Sequence, residues 1–597
     1  MNVLGISCYF HDAAAALVQD GALVAAAEEE RFSRIKHDFA FPDRAIRFCL
    51  NHAGLSAGDV DYVVFFEKPF VKFERILSTV LATAPRSSGV FRQAMTAWLL
   101  DKLWVKNRIR EHVGVPADRI LFIPHHLAHA ASAFFCSPFD RAAILTVDGV
   151  GEWTTTALGS GEGSACRLTD EIRFPHSLGL LYSAFTAFLG FEVNEGEYKV
   201  MGMAPYGTPR YVDKVWKVVR QSRDGSFELD LDYFSFQYST SRTFTDRFVD
   251  LFGAPRKPET PFFTAASGFP SYFGERPSNY SALEAENQHY ADVAASIQAV
   301  TEQIVLGLAR AAQTKTGATA LCMAGGVALN SVANGRILRE TPITDLYVQP
   351  SAGDGGAAVG AALYGARALL GEPRRFVMDH AYWGAPLDEG AISAAVGSSD
   401  LPSLTAPSED ALIARVVELL AAGKVIGWAQ GRFEFGPRAL GNRSILADPR
   451  RSEMKDLVNT KIKFREPYRP FAPSVPVEHA CRFFGLDDPA RQLAARFMLL
   501  VTPVREEARD IIPAVTHVDG SARLQTVVRD TNPRYHRLIT AFGEATGVPV
   551  VLNTSFNLRG EPIVNTAAEA LSTFQRCGMD ALVLDRTIVF KQGEDLS

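Results

Sequence analysis

Short apolar runs of strand length alternate with stretches of helical period along most of the chain, the pattern of an α/β protein. Residues 2–7 read as a first strand, followed by a polar turn, Tyr9-Phe10-His11-Asp12, and a second apolar run at 13–18. Gln19-Asp20-Gly21 has hairpin chemistry, so residues 22–27 return as a third strand. Residues 41–50 carry a helical pattern, 62–66 (YVVFF) a buried strand, and 68–106 more helix. The Ala- and Leu-rich run PHHLAHAASAFF at 124–135 has Pro near its first turn, where a helix tolerates it. Strand 142–147, helix 178–188, long helix 290–314 and strand 318–323 follow. Composition turns to Pro, Gly, Ser and Asp around 371–407, a domain boundary. Beyond it the pattern restarts with helix 411–422 and strand 425–429, and strand 548–552 comes near the end.

Candidate chemistry sits at the ends of these runs. In a helix, residues four apart share a face, so His125 and His129 point the same way, as half of a metal site would. The position after the first histidine is His126 rather than Glu, which excludes the zinc-protease pattern. Strand 142–147 delivers Asp148 into the turn Asp148-Gly149-Val150-Gly151, and PSAGDGG at 350–356 places Asp354 among glycines. Two histidines with two aspartates form a mixed nitrogen and oxygen set, suited to iron(II), manganese or zinc. The plain alternative for each Asp is a turn former or helix cap. Gly325, Gly326 and Asn330 in AGGVALN, with Gly355 in PSAGDGG, lie at strand-to-helix junctions where backbone amides can approach phosphates.

A second cluster follows the boundary. Arg432, Arg438, Arg443, Lys461, Lys463, Arg465 and Arg469 crowd into two segments interleaved with Gly, Pro and Phe, without helical pairing to Glu. That arrangement predicts a phosphate- or carbamate-binding pocket rather than a solvated basic face, and Asn553, Ser555 and Asn557 can add neutral donors. The charged run 28–38 (EEERFSRIKHD) reads as a solvated helix face, with Lys36 and His37 as alternative ligand contacts.

Composition narrows the partners. The 597 residues require two or three domains, and a formal net charge of −6 gives no case for nucleic acid. Seven scattered cysteines form no CxxC pair, so reduced thiols in a cytoplasmic enzyme are expected. Residues 1–7 read as a strand rather than a secretion signal, and no run is long and apolar enough for a bilayer.

The motifs in order resemble the NodU/CmcH carbamoyltransferases: HDAAAALVQDGALVAAAEEERFSRIKHD, HHLAHAASAFFCSPF, EYKVMGMAPYG, GGVALN, SAGDGGAAVGAAL, GPRALGNRSILADPR, REPYRPFAPS and LNTSFNLRGEPIV. The resemblance implies an actin-like (ASKHA) two-lobed domain over 1–375, similar to the tRNA threonylcarbamoyl transferase, then a YrdC-like α/β domain over 376–597. It implies carbamoyl adenylate made from carbamoyl phosphate and ATP, with Mg2+ accompanying the nucleotide, and transfer to a hydroxyl of a small molecule. It places an iron(II)-type ion on His125, His129, Asp148 and Asp354. Nucleotide contacts fall on residues 148–151, Gly326 and Asn330. Carbamoyl-phosphate contacts fall on Arg438, Lys463, Arg469, Arg523, Asn553 and Ser555. The position of His11 after the first strand, with an ordinary imidazole pKa of about 6.5, predicts a general base.

Two other readings compete: a tRNA threonylcarbamoyl transferase, and an actin-like ATPase that only binds. The acidic balance and second domain count against the first; the histidine pair and basic cluster count against the second. The acceptor is unreadable, and a homodimer is left open. Residues 208–285, rich in aromatic and hydroxyl side chains, read as an insertion whose Tyr233 and Phe234 line an acceptor pocket.

Overall fold

The structure is a computed structural model that describes residues 1–100, 102–270, 273–374 and 376–592. Two compact units divide the chain: residues 1–25 with 39–377, and residues 26–38 with 378–597.

The first unit contains two five-stranded sheets. One is built from β1 (Asn2–Ser7), β2 (Ala14–Gln19), β3 (Ala22–Glu28), β4 (Tyr62–Phe65) and β5 (Ile120–Phe122), in the order β3-β2-β1-β4-β5. β2 is antiparallel to β1, whereas β4 and β5 extend the other side in parallel. The other sheet uses β6 (Arg141–Val147), β7 (Thr154–Glu162) and β8 (Ala165–Arg173). After a small hairpin, β9 (Val219–Gln221) and β10 (Phe227–Leu229), it is completed by β11 (Ala320–Ala324) and β12 (Asp345–Val348). Its order, β8-β7-β6-β11-β12, repeats the first: a three-strand meander and then two parallel strands. One lobe built twice is the two-lobed actin-like architecture. β6, β11 and β12 are mutually parallel, so their C-terminal ends, where Asp148, Gly325 and the turn toward Asp354 follow, share one edge.

The glycine-rich helix Asp354–Tyr364 joins this edge to its surroundings through close packing. A Cβ on Gly5 of β1 would lie 1.9 Å from the Ala358 carbonyl oxygen, and one on Gly360 would lie 1.8 Å from that of Ala128. Only hydrogen at these two positions lets the helix press against both the first sheet and the histidine helix, His125–Phe134.

The long helix runs Tyr280–Thr316, ten residues earlier than the pattern predicts. Its first seven residues bury nothing, so no apolar period marks them. The insertion differs from expectation as well. Phe248 and Phe252 are buried against Phe185 and Phe188 of helix Leu178–Phe188, and Phe234 against Phe248, in edge-on and tilted pairs. Phe234 is therefore a core residue, not a pocket wall, because aromatic rings gathered in one place satisfy one another.

The second unit is an α/β body on a nine-stranded mixed sheet. Its strands are β13 (Ser403–Thr405), β14 (Ile426–Ala429), β15 (Arg443–Ala447), β16 (Ala472–Pro476), β17 (Leu500–Pro503), β18 (Ser521–Val527), β19 (Val551–Ser555), β20 (Ala581–Leu584) and β21 (Thr587–Phe590). They lie in the order β13-β21-β20-β14-β15-β19-β16-β18-β17. Helices Glu409–Ala421 and Pro533–Thr546 build its core with Leu412, Val416, Leu420, Leu538, Ile539 and Phe542 against Trp428. The last predicted strand falls three residues later than the apolar run, so Asn553 and Ser555 lie inside β19, paired with Leu446 and Ser444.

The charged run 28–38 belongs to this second unit, so the division at residue 376 does not describe it. It is no solvated face: Glu28, Glu29, Arg31 and Asp38 are buried, and its helix spans only Glu30–Ser33. Arg31 Nη2 donates to the carbonyls of Glu434 (3.1 Å) and Gly436 (2.7 Å), and Glu28 accepts the Gly436 N–H at 2.7 Å. Arg34 donates to the carbonyls of Pro562 (2.9 Å) and Ile563 (2.7 Å). Main-chain partners distant in sequence take up part of the charge of Glu28, Arg31 and Arg34, which no local pattern could reveal.

Candidate functional site

The buried side chains of His125, His129, Asp148 and Asp354 converge, with one ligand-type atom from each lying within 4.8 Å of the others. The helical spacing brings the two Nε2 atoms to 3.1 Å. Asp148, at the end of β6, approaches His125 Nε2 at 3.2 Å, and Asp354, opening its helix, stands 3.7 and 3.6 Å from the two imidazoles. Asp354 Oδ2 is buried and has no hydrogen-bond partner among the described residues. Burial alone would lower the pKa of His125, but Asp354 and Asp148 outweigh it and raise it to about 9. Burial opposes ionisation of Asp148 too, yet His125 and His129 hold it well below the usual carboxylate range. Carboxylates that favour a cation this strongly, with facing imidazole nitrogens, fit a divalent ion with mixed nitrogen and oxygen ligands. His126 turns away to Thr146 Oγ1 at 2.8 Å, where burial and the neighbouring histidines keep its pKa well below the ordinary value.

The glycine junctions surround this centre. Gly325 has φ +94°, and a Cβ there would meet the Val147 carbonyl oxygen at 2.3 Å. The Gly326 N–H donates to Asp148 Oδ1 at 2.8 Å, fixing the carboxylate. Gly149 has nothing within 4 Å of where a Cβ would be, whereas Val150 is buried and Gly151 lies against the His125 ring. Gly355 is buried in the first turn after Asp354. Asn330 accepts the Ala333 N–H at 3.2 Å as a helix cap and exchanges hydrogen bonds with Gln298, so its amide is already engaged within the protein. Gly360, which sets the distance between the His125–Phe134 and Asp354–Tyr364 helices, lies in the SAGDGGAAVGAAL stretch, where nothing in the sequence singles it out.

His11 lies in a turn where Tyr9 (φ 74°) and Asp12 (φ 42°) adopt left-handed backbone. Its ring bridges Asp12 Oδ2 at 2.7 Å and the Asn194 carbonyl at 3.1 Å. Burial opposes its charge, but Asp12 and then Asp354 raise the pKa to about 9. That value departs from the ordinary imidazole pKa on which a general-base role at neutral pH depends. Lys36 lies in the second unit and is half-buried.

In the second unit the structure sorts the basic crowd into two groups. Arg443 is fully buried and spends its guanidinium on the carbonyls of Gln430 (2.7 Å), Asn442 (2.8 Å) and Asn565 (3.0 Å). Arg432 does the same with the Gly384 carbonyl at 2.8 Å. Both are scaffold. Arg523 belongs to the other group: its pKa is depressed well below the arginine value by burial and by Arg438, Arg465 and Arg469. Its Nε is buried without a hydrogen-bond partner among the described residues. Arg469 meets Glu466 at 3.3 Å. Four arginines gathered in one place favour an anion.

Lys463 is placed differently from its expected role. Its ammonium is buried, 2.7 Å from the Ser555 carbonyl, 2.8 Å from the Asn557 carbonyl and 2.6 Å from Asn557 Oδ1. With its protons committed, it clamps the 555–557 turn. Its pKa falls well below the lysine value through burial, then Arg465 and Arg469, with a smaller effect from Lys36. Asn553 donates to Gln525 Oε1 (2.9 Å), Ser474 Oγ (3.1 Å) and the Ala439 carbonyl (3.2 Å), tying β19 to the Arg438 loop. Glu434, which the sequence reading passed over, is fully buried and organises that loop by accepting the N–H groups of Leu440, Asn442 and Arg443 at 2.7, 2.8 and 3.1 Å. Its only signal was an acidic residue inside a basic run.

A lobe built twice, with glycine-rich turns at the ends of its parallel strands, defines the two-lobed actin-like class. The chain belongs to the carbamoyltransferase family. Residues 2–363 match the carbamoyltransferase N-terminus and residues 417–591 the carbamoyltransferase C-terminus, so the protein is a transferase. An uncharacterised protein of Synechocystis sp. is 46% identical over 99% of this chain and 97% of its own length. The nodulation protein NolNO of Sinorhizobium fredii is 38% identical over 98% of this chain and 79% of its own. The 3'-hydroxymethylcephem-O-carbamoyltransferase of Streptomyces clavuligerus is 37% identical over 42% of this chain and 45% of its own. Among the described residues, no helix is long and apolar enough to cross a membrane.

Proposed function

We propose that this carbamoyltransferase makes carbamoyl adenylate from carbamoyl phosphate and ATP, with Mg2+ accompanying ATP, and passes the carbamoyl group to a hydroxyl of a small-molecule acceptor. The carrying observation is that each unit holds a buried cluster, and the two have opposite electrostatics. In the second unit, Arg438, Arg469 and Arg523 take the compact dianion; water releases phosphate to leave carbamate, and a carbamate oxygen then bonds to the α-phosphorus of ATP as pyrophosphate departs with the electrons of the broken P–O bond. Lys463, Asn553 and Ser555 hold the strand and turn beside them. In the first unit, the Gly149-Val150 turn approaches the adenylate phosphate through main-chain N–H groups, while those of Asp148, Gly151, Gly325 and Gly326, spent on the Thr155, Thr154 and Ala352 carbonyls and Asp148 Oδ1, shape the turns around it. His125, His129, Asp148 and Asp354 would hold a divalent ion of the iron(II) kind, which when bound supplies Lewis acidity toward a phosphate oxygen. The acceptor oxygen bonds to the carbamoyl carbon, AMP departs with the electrons of the broken C–O bond, and the hydroxyl proton is released.

The Streptomyces relative is named for carbamoylating a hydroxymethyl group on a small molecule, which supports this acceptor class. The test offers a panel of hydroxylated metabolites with ATP, Mg2+ and carbamoyl phosphate. The expected result is one metabolite gaining a single carbamoyl group by mass, with AMP formed in equal amount. Formation of ADP without AMP would rule out the adenylate route.

A further inference from the structure

One turn wraps His125 from three sides. Asp148 meets the tip of the ring, Gly151 lies against its face, where a Cβ would come 2.9 Å from Cδ2, and Glu152 reaches its main chain. The Glu152 carboxylate is buried and accepts the His125 N–H with both oxygens, at 3.0 and 3.1 Å. Its Oε1 also accepts the Lys68 N–H at 2.8 Å, just ahead of helix Pro69–Ala82, so one carboxylate pins the starts of two helices.

Two observations make this contact more than a helix cap. First, Pro124 at the cap position offers no side-chain acceptor, so the histidine helix depends on another element for its exposed N–H. Second, His125 Nδ1 is buried with no hydrogen-bond partner among the described residues. Metal-ligand histidines are usually oriented through that second nitrogen. Here orientation must come through the backbone and the ring face. The other end of the helix is held too: Arg374 donates to the Phe134 carbonyl (3.0 Å) and Arg367 to that of Phe135 (3.3 Å).

We propose that Glu152 is the positioning residue of the centre, aiming His125 through its main-chain N–H and offsetting the positive end of the histidine helix. A cation held in the first helical turn faces that positive end, and a carboxylate on the same N–H compensates for it. The inference rests on the reading of His125, His129, Asp148 and Asp354 as metal ligands.

The test titrates Co2+ into the metal-free full chain and follows its visible ligand-field bands for wild type, Glu152→Gln, Glu152→Asp and Glu67→Gln. Glu67 is a buried carboxylate paired with Lys72, so its loss controls for general destabilisation. Glu152→Gln is expected to weaken Co2+ binding by about 10–100-fold and to shift the bands, whereas Glu67→Gln keeps wild-type affinity. Should the Gln variant fail to fold, Glu152→Asp carries the test, since its carboxylate retracts by one methylene and should bind several-fold more weakly. Wild-type affinity and bands in a folded Glu152 variant overturn the inference, as does equal weakening by Glu67→Gln. If wild type itself binds no Co2+, the metal reading fails first, which separates the two ideas.

Discussion

The centre in the first unit and the arginine cluster in the second both bury charge, and they do it with opposite chemistry. The first gathers two carboxylates around two imidazoles, and the carboxylates raise His125 to about 9. The second gathers Arg438, Arg465 and Arg469 around Arg523, which burial and those three drive well below its ordinary value. Neither arrangement is a balanced ion pair, and buried excess charge is costly. Each site is stable only because its surroundings fix it, and each gains most from a ligand of opposite sign. On the function proposed above, a cation completes one and an anion the other.

The contrast can be broken most severely at Gly360. A Cβ there would sit 1.8 Å from the Ala128 carbonyl oxygen, so Gly360→Ala must push apart the helices that carry His129 and Asp354. We expect a loss of at least about 3 kcal/mol in urea unfolding and no measurable Co2+ binding. Retained Co2+ affinity would mean that this helix contact does not set the site.

A narrower break removes a single donor. His129→Ala should lose stoichiometric divalent metal by elemental analysis, yet phosphate binding by calorimetry should stay as in wild type. Full metal content in that variant would remove His129 from the set. The smallest expected effect is on the other side. Arg523→Gln removes one charge-assisted donor, worth about 1.5–3 kcal/mol, so carbamoyl phosphate should bind roughly 10–100-fold more weakly while Co2+ binding is unchanged. Equal affinity would show that the cluster does not hold the anion through Arg523.

The sequence by itself determined much of the first unit. Strands β1 to β3, the histidine helix, and the placement of Asp148 and Asp354 in turns after strands were legible, because periodicity and turn chemistry are local. An i, i+4 histidine pair needs only a helix to share a face. The cation cluster was legible as composition but not as arrangement. Arg443 and Lys463 looked like ligand-binding residues, and Arg443 instead serves backbone carbonyls while Lys463 clamps a turn. The run 28–38 looked solvated because its partners, Glu434, Gly436 and Ile563, lie four to five hundred residues away. His11 had an ordinary pKa only until Asp12 and Asp354 were placed beside it. Gly360 carries no side chain and so no pattern, and its role comes entirely from the carbonyl it faces. Element type follows from short-range spacing, whereas burial, pKa and the choice between scaffold and ligand-binding roles depend on long-range neighbours, which only the tertiary structure supplies.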